Sequence, residues 1–293
     1  MKKAIFIILP LFIVICAAAV IIAKVNSTPP TLSGKITLTR TRGYMDLYNL
    51  SYKSFMGYSF RNSARFLHNS PYVFQDGRAV ERYNISSGKA EQVYPQKKDE
   101  NDMPLLINNI VPMNKEEFLF VCDHKLFKYD IEHNNEELLI DASNLSYLCW
   151  IDKNYDYAAQ TNTIYYSNDN GEILAYDVQE RKTNALGLFG GMPRVSGDGR
   201  FLVYRHGKIN KKSLTVYDQA TGSCWTRPAK DYIEDFCFSP NAEYVAILEP
   251  DRSLTNFSVG NSKQISVWDY KNNKSYVICT DIQYANFRLD WIA

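Results

Sequence analysis

Leu126–Asp130 (LFKYD), Ile173–Asp177 (ILAYD), Leu214–Asp218 (LTVYD) and Ile265–Asp269 (ISVWD) are four versions of one stretch, an apolar strand that ends in an aromatic residue and an aspartate. Ala79–Asn84 (AVERYN) is a looser fifth. The aromatics at positions 83, 129, 176, 217 and 268 lie 46, 47, 41 and 51 residues apart. Short strands repeating at a period of about 40–50 residues are the mark of a β-propeller blade. The recurring Asp130, Asp177, Asp218 and Asp269 therefore read as turn residues, because a functional site is used once and a turn is used in every blade.

Working outward, units can be drawn around the repeat over Ala64–Tyr94, Leu105–Ile140, Leu145–Leu188, Gly191–Arg227 and Ile233–Thr280. Each holds an inner strand, an alternating strand, the aromatic–Asp strand and an outer strand, separated by Gly, Asn, Asp, Ser and Pro clusters. The unit over Leu145–Leu188 is read as Ser146–Ile151, Tyr155–Gln160, Thr163–Ser167 and Ile173–Asp177, and it has a strand's worth of residues to spare. Tyr284–Ile292 (YANFRLDWI) reads as an inner strand with nothing after it. Lys35–Arg40 and Asp46–Tyr52 read as outer strands with nothing before them. Joining the two ends completes a sixth blade and removes two open sheet edges. The expectation is an all-β, six-bladed propeller over 35–293 with terminal strand closure, a seven-bladed ring being the competitor.

Two turns are more specific than the period. Ser196-Gly197-Asp198-Gly199-Arg200-Phe201-Leu202-Val203-Tyr204 resembles the S-P-D-G-x-x-[IL]-[AV]-[FY] repeat of TolB-like propellers, also called WD-repeat-like propellers of bacterial periplasmic proteins. Ser239-Pro240-Asn241-Ala242-Glu243-Tyr244-Val245-Ala246-Ile247 is a second copy, altered at the Asp and Gly positions. In this motif Asp198 caps a tight turn and the glycine takes positive φ. The resemblance spans roughly 64–293 and implies a fold. That family includes assembly-factor scaffolds and the non-catalytic propellers of prolyl-oligopeptidase-type enzymes, so it does not imply one function.

The N-terminus carries a different signal. After Met1–Lys3, Ala4–Ala23 runs twenty residues without a charge. That is long enough to span a bilayer as a helix. Residues 1–24 read as a signal-anchor that exports the remainder. A cleaved signal peptide (Ala17-x-Ala19) and a lipoprotein acylated at Cys16 fit less well, because Val20-Ile21-Ile22 makes a poor mature start and Ile15 precedes the cysteine. Residues 25–34, containing NSTPPTLSG, read as a Pro/Ser linker. The expected location is a membrane, single-pass, with the globular part periplasmic or on the cell surface.

Composition narrows the function classes. The 293 residues are 45% apolar and include 21 Tyr and 15 Phe, which suits strands. Net charge is +1 with no basic run longer than two residues, so nucleic acid is not an expected partner. The six cysteines, Cys16, Cys122, Cys149, Cys224, Cys237 and Cys279, form no C-x-x-C pair and read as buried thiols. His68, His124, His133 and His206 show no metal-ligand spacing. Ser167–Gly171 (SNDNG) matches the core of a sialidase Asp-box once, and that box is itself a turn. No G-x-S-x-G, Walker or dinucleotide pattern is present. No cofactor, metal or catalytic residue is therefore assigned.

Binding candidates fall on two connections. Phe189, Gly190, Gly191 and Met192 lead into an inner strand and should surround one face of the central channel. Arg252, Asn256 and Phe257 lie in Asp251–Gln264, the longest polar insertion within a blade. The leading expectation is a monomeric, membrane-anchored module that binds an envelope or surface protein. The alternative is a glycan-directed lyase or hydrolase, or a small-ligand-binding propeller, with its site at the channel mouth. A tight cluster of acids, Arg and His converging at one end of the axis would favour the enzyme. A flat aromatic or apolar patch would favour the protein-binding module.

Overall fold

The computed structural model describes residues 30–40, 44–50, 54–59, 64–67, 70–75, 79–105, 107–123, 125–141, 155–168, 170–206, 213–229, 232–251, 262–283 and 287–292. The proposed span Ala4–Ala23, the first half of the linker, Ser146–Ile151, Asp169, His68, His124, Arg252, Asn256 and Phe257 lie outside them. Among the described residues no helix is long and apolar enough to cross a membrane.

All 24 described strands fall into six four-stranded antiparallel sheets. The first holds β1 (Lys35–Arg40), β2 (Tyr44–Asn49) and β3 (Ser54–Ser59). The second is β4 (Ala64–Phe66), β5 (Tyr72–Gln75), β6 (Val80–Asn84) and β7 (Lys89–Tyr94). The third is β8 (Asn108–Pro112), β9 (Glu117–Cys122), β10 (Lys125–Asp130) and β11 (Asn135–Asp141). The fourth is β12 (Tyr155–Ala158), β13 (Thr163–Ser167), β14 (Glu172–Asp177) and β15 (Lys182–Phe189). The fifth is β16 (Gly191–Val195), β17 (Phe201–His206), β18 (Ser213–Asp218) and β19 (Cys224–Pro228). The sixth is β20 (Asp235–Phe238), β21 (Val245–Pro250), β22 (Ser262–Asp269) and β23 (Lys274–Gln283). The last strand, β24 (Phe287–Ile292), pairs with β1 and completes the first sheet in the order β24-β1-β2-β3. This is the all-β propeller that the repeat predicts.

Two local readings need correction. Three strands, not two, come from the N-terminal end, β3 being the addition. The inner strand of the fourth sheet is Tyr155–Ala158, which moves the register one strand along from Ser146–Ile151.

The repeat aspartates act as the turn chemistry requires. Asp177 Oδ1 accepts the backbone N–H groups of Gln179 and Glu180, each at 2.8 Å. Asp130 accepts from His133 N, and Asp269 from Asn272 N, at 3.1 Å in both turns. In the fifth sheet Ser196 Oγ binds Asp198 and accepts from Phe201 N at 2.9 Å. The altered copy keeps this geometry, with Ser239 Oγ accepting from Tyr244 N at 3.0 Å. Ala242 there takes φ 56°, where the first copy has Gly199 at 71°. A turn held by the same serine bonds thus forces an alanine into glycine's region.

Apolar side chains fill the space between consecutive sheets. Tyr94 of the second sheet meets Tyr129 and Phe120 of the third with ring centroids 4.6 and 4.9 Å apart. Trp268 and Tyr270, both fully buried, pack in the cluster between the fifth and sixth sheets. The closing sheet is fixed at its entry point. Trp291 Nε1 donates to Ser33 O at 3.0 Å, and a Cβ on Gly34 (φ +90°) would sit 2.2 Å from Ile292 O, so only glycine fits.

Trp291→Ala should destabilise the fold by about 3 kcal/mol, since a buried aromatic is lost together with its bond to the entry segment. Urea unfolding measures this, and an unchanged midpoint would contradict the closure. A second expectation concerns acid. The Arg200 guanidinium, 2.7 Å from Asp218, holds that carboxyl well below the ordinary value of 3.8. A depressed folded value stabilises above the unfolded one and the benefit is lost as pH falls. Asp218→Asn should therefore flatten the loss of stability below about pH 4, and an identical acid profile in both proteins would rule this out.

Candidate functional site at the channel mouth

The inner strands β4, β8, β12, β16, β20 and β24 surround the propeller axis. Each contributes one residue at the same level, two positions before its strand ends or turns. In ring order these are Arg65, Val111, Asp156, Arg194, Cys237 and Asp290. The order arginine, neutral, aspartate occurs twice around the ring. All six line a cavity of about 360 Å³. Its floor is buried at Arg194 and Val111, and its rim reaches the exposed Gln160 and Gly197. It therefore opens on the face where the inner strands end.

The floor is a network of charges. Arg65 reaches Asp156 and Asp290 through its two terminal nitrogens, each at 3.5 Å. Arg194, 2% exposed, lies 3.2 Å from the fully buried Asp235. Asp235 also accepts Leu289 N at 2.9 Å, and Asp156 accepts Val195 N at 3.1 Å. Tyr155 donates to Asn109 O, joining the third and fourth sheets. Burial pushes the Cys237 thiol well above its ordinary range, as do Asp290 and Asp235 beside it, so it is a neutral wall residue and not a thiolate. Neither His133 nor His206 lines the cavity. Among the described residues no three His, Cys, Asp or Glu side chains converge to hold a metal ion.

Of the sequence-derived binding residues, Phe189, Gly190 and Gly191 sit at the opposite end, where the inner strands begin. Phe189 is 55% exposed there, as is Tyr232 at 48%. Arg205, the strand partner of Gly191, places its guanidinium 5.4 Å over the Tyr232 ring. Gly190 is glycine for packing, since a Cβ would meet Arg205 O at 2.5 Å and the Tyr204 ring at 2.6 Å. Met192 requires correction. It is buried in the core between the fifth and sixth sheets, at φ 57°, and presents nothing to a partner. Among the cysteines, Cys122, Cys224, Cys237 and Cys279 are free thiols, and Cys224 is exposed, contrary to the expectation of burial. Sequence reasoning missed the axial ring. Its signal is a charged residue set inside otherwise apolar inner strands, as in Asp290 of RLDWI and Arg194 of GMPRV.

Fold and site together define a β-propeller with a charged axial cavity, of the TolB-like and WD-repeat-like kind. The chain is similar to TolB from Acinetobacter baumannii (TM-score 0.68, 16% identity, covering 92% of this chain and 69% of that one). It is similar to a putative TolB from Agrobacterium tumefaciens (TM-score 0.55, 10% identity, 90% and 100% covered). It is also similar to the β-propeller domain of Myceliophteria thermophila Cps50 (Swd1), at TM-score 0.51 and 14% identity, covering 85% of each chain. At these identities the likeness is one of fold. No protein-family model matches the chain, and no curated protein does.

Removing one member of a buried ion pair leaves an uncompensated charge. Asp235→Ala should cost about 3–5 kcal/mol, whereas Arg194→Met with Asp235→Leu should recover most of that loss. Denaturant unfolding of the three proteins tests this, and a single variant within about 0.5 kcal/mol of the parent would contradict the pairing.

Proposed function

We propose that the chain is a six-bladed propeller that binds another protein through the face carrying Phe189 and Tyr232. One observation carries the reading. Two large aromatic side chains stay exposed where β16 and β20 begin, with Arg205 stacked on one of them. Tyr, Phe and Arg are the residues enriched in interface cores, and exposed apolar surface on a rigid scaffold is a docking signal. The partner is an envelope or surface protein, and the propeller acts as a monomer outside the cytoplasm, held by Ala4–Ala23. The cationic start and the twenty uncharged residues after it support that placement.

Arg and Asp converge at the other end of the axis, but among the described residues no His joins them. The arrangement favours a ligand over chemistry. Asp156, Asp235 and Asp290 are each engaged by a guanidinium, and the Cys237 thiol is held neutral. A general base or nucleophile needs a free, positioned group.

A photo-crosslinking residue at position 189 or 232, in the full chain in its native membranes, should capture the same protein from both positions. Phe189→Ala with Tyr232→Ala should lower the yield of endogenous complex at least about tenfold, as for a pair of interface hot spots. Equal capture from position 197, on the opposite face, or none from 189 and 232, would overturn the reading.

A further inference from the structure

We propose that the docking face recognises an acidic residue of its protein partner: Arg205, stacked on Tyr232 and joined through His206 to Phe189, takes an Asp or Glu side chain that the partner carries beside an apolar one. This rests on the reading that the face binds a protein, and it names the chemistry of what is bound.

Arg205 differs from the other arginines. Seven arginines have described side chains. Six of them, Arg65, Arg82, Arg181, Arg194, Arg200 and Arg227, reach a carboxylate within 3.5 Å. Arg205 is the seventh, and among the described residues it meets no carboxylate. Its guanidinium lies 5.4 Å over the Tyr232 ring instead.

Its place in the strand brings that cation to the surface. Phe201 and Val203 of β17 point into the core between the fifth and sixth sheets. Arg205 continues their row, since side chains two apart share a face of a strand. It is the first of the row to reach solvent, and it stays half-buried there. His206, on the other face of the strand, sets Nδ1 2.6 Å from Phe189 O and its ring edge-on to Tyr204. Two consecutive residues of β17 thus join the exposed aromatics Phe189 and Tyr232 into one patch with an unmatched cation inside it.

The complement of this patch is a carboxylate with apolar surface beside it. A guanidinium presents its donors as a planar fork that fits a carboxylate, and stacking on Tyr232 fixes the plane of that fork before binding. The rings on either side offer contact to an aliphatic or aromatic neighbour of the acid, and Tyr and Arg are the residues that dominate interface hot spots. A phosphorylated side chain is the other anion an arginine reads, but that recognition uses clusters of arginines. Arg205 is single among the described residues of this patch, which favours the carboxylate.

Selection of short random peptides, displayed on phage, against the full chain in detergent micelles tests the inference. The peptides enriched should carry Asp or Glu next to an aliphatic or aromatic residue. Replacing that acid by its amide in the synthetic peptide should weaken binding, read by fluorescence anisotropy, at least about tenfold. Against Arg205→Gln, with thermal unfolding as the check on its fold, acid and amide peptides should bind alike. Phe189→Ala with Tyr232→Ala should weaken both peptides. Enriched peptides that depend on Phe189 and Tyr232 but carry no acid overturn the inference and leave the docking reading standing. So does an amide that binds the parent as well as the acid does, or an acid that counts as much against Arg205→Gln as against the parent. No enrichment, or peptides that bind the double alanine variant undiminished, would overturn both.

Discussion

β24, from one end of the chain, is paired along six residues with β1, from the other, from Lys35 opposite Ile292 to Arg40 opposite Phe287. The remaining architecture depends on that pairing. A sheet in a propeller is covered by its neighbours on both faces, so a ring with one incomplete member would expose two apolar surfaces at once. With β24 in place the first sheet has four strands like the others. Ile292 then packs in a cluster with Phe66 and Val73 of the second sheet. On its other side Asp235 of β20 accepts Leu289 N of β24, joining the sixth sheet to the first.

That last contact shows how neighbouring sheets are joined at the axis. Each sheet has its own backbone ladder, and among the described residues no ladder runs from one inner strand to the next. Side chains make the lateral links instead. Arg194 ties the fifth sheet to the sixth, Asp156 ties the fourth to the fifth through Val195 N, and Arg65 ties the second to both the first and the fourth. Ion pairs buried this deeply offer little net stability over apolar residues of the same size. Their contribution here is geometric, since each pair works only when two particular sheets sit at one separation.

The strands nearest the repeat were legible in the sequence because their chemistry is local. An aromatic residue packed against the neighbouring strands is followed by an aspartate whose side chain accepts a backbone donor of the next turn, and those two demands fall at fixed positions in LAYD and TVYD. Outer strands carry no such pair of demands. Lys182–Phe189 is exposed along most of its length, so its pattern resembles a loop. β3 was missed in the same way, as a fourth strand without a following Asp turn. The axial site was hidden for a different reason. Arg65, Asp156, Arg194, Cys237 and Asp290 are separated by scores of residues and become neighbours only when the ring closes. Reading one strand at a time, each looks like a lone polar residue in a wall. Superposing the six inner strands on their turns would have put the charges at one level.

The manner of closure also sets how the molecule bears mechanical load. Tension on the chain ahead of Ser33 enters the propeller at β1. That strand is an interior member of its sheet, paired with β24 on one side and β2 on the other. An edge strand under tension can peel away one bond after another, whereas an interior strand must part from two neighbours together. Trp291 adds a further tie at the point of entry through Ser33 O. The place where the two ends of the polypeptide meet is thus a clamp, and a propeller tethered by its N-terminus would transmit force to that clamp before any loop on either face felt it.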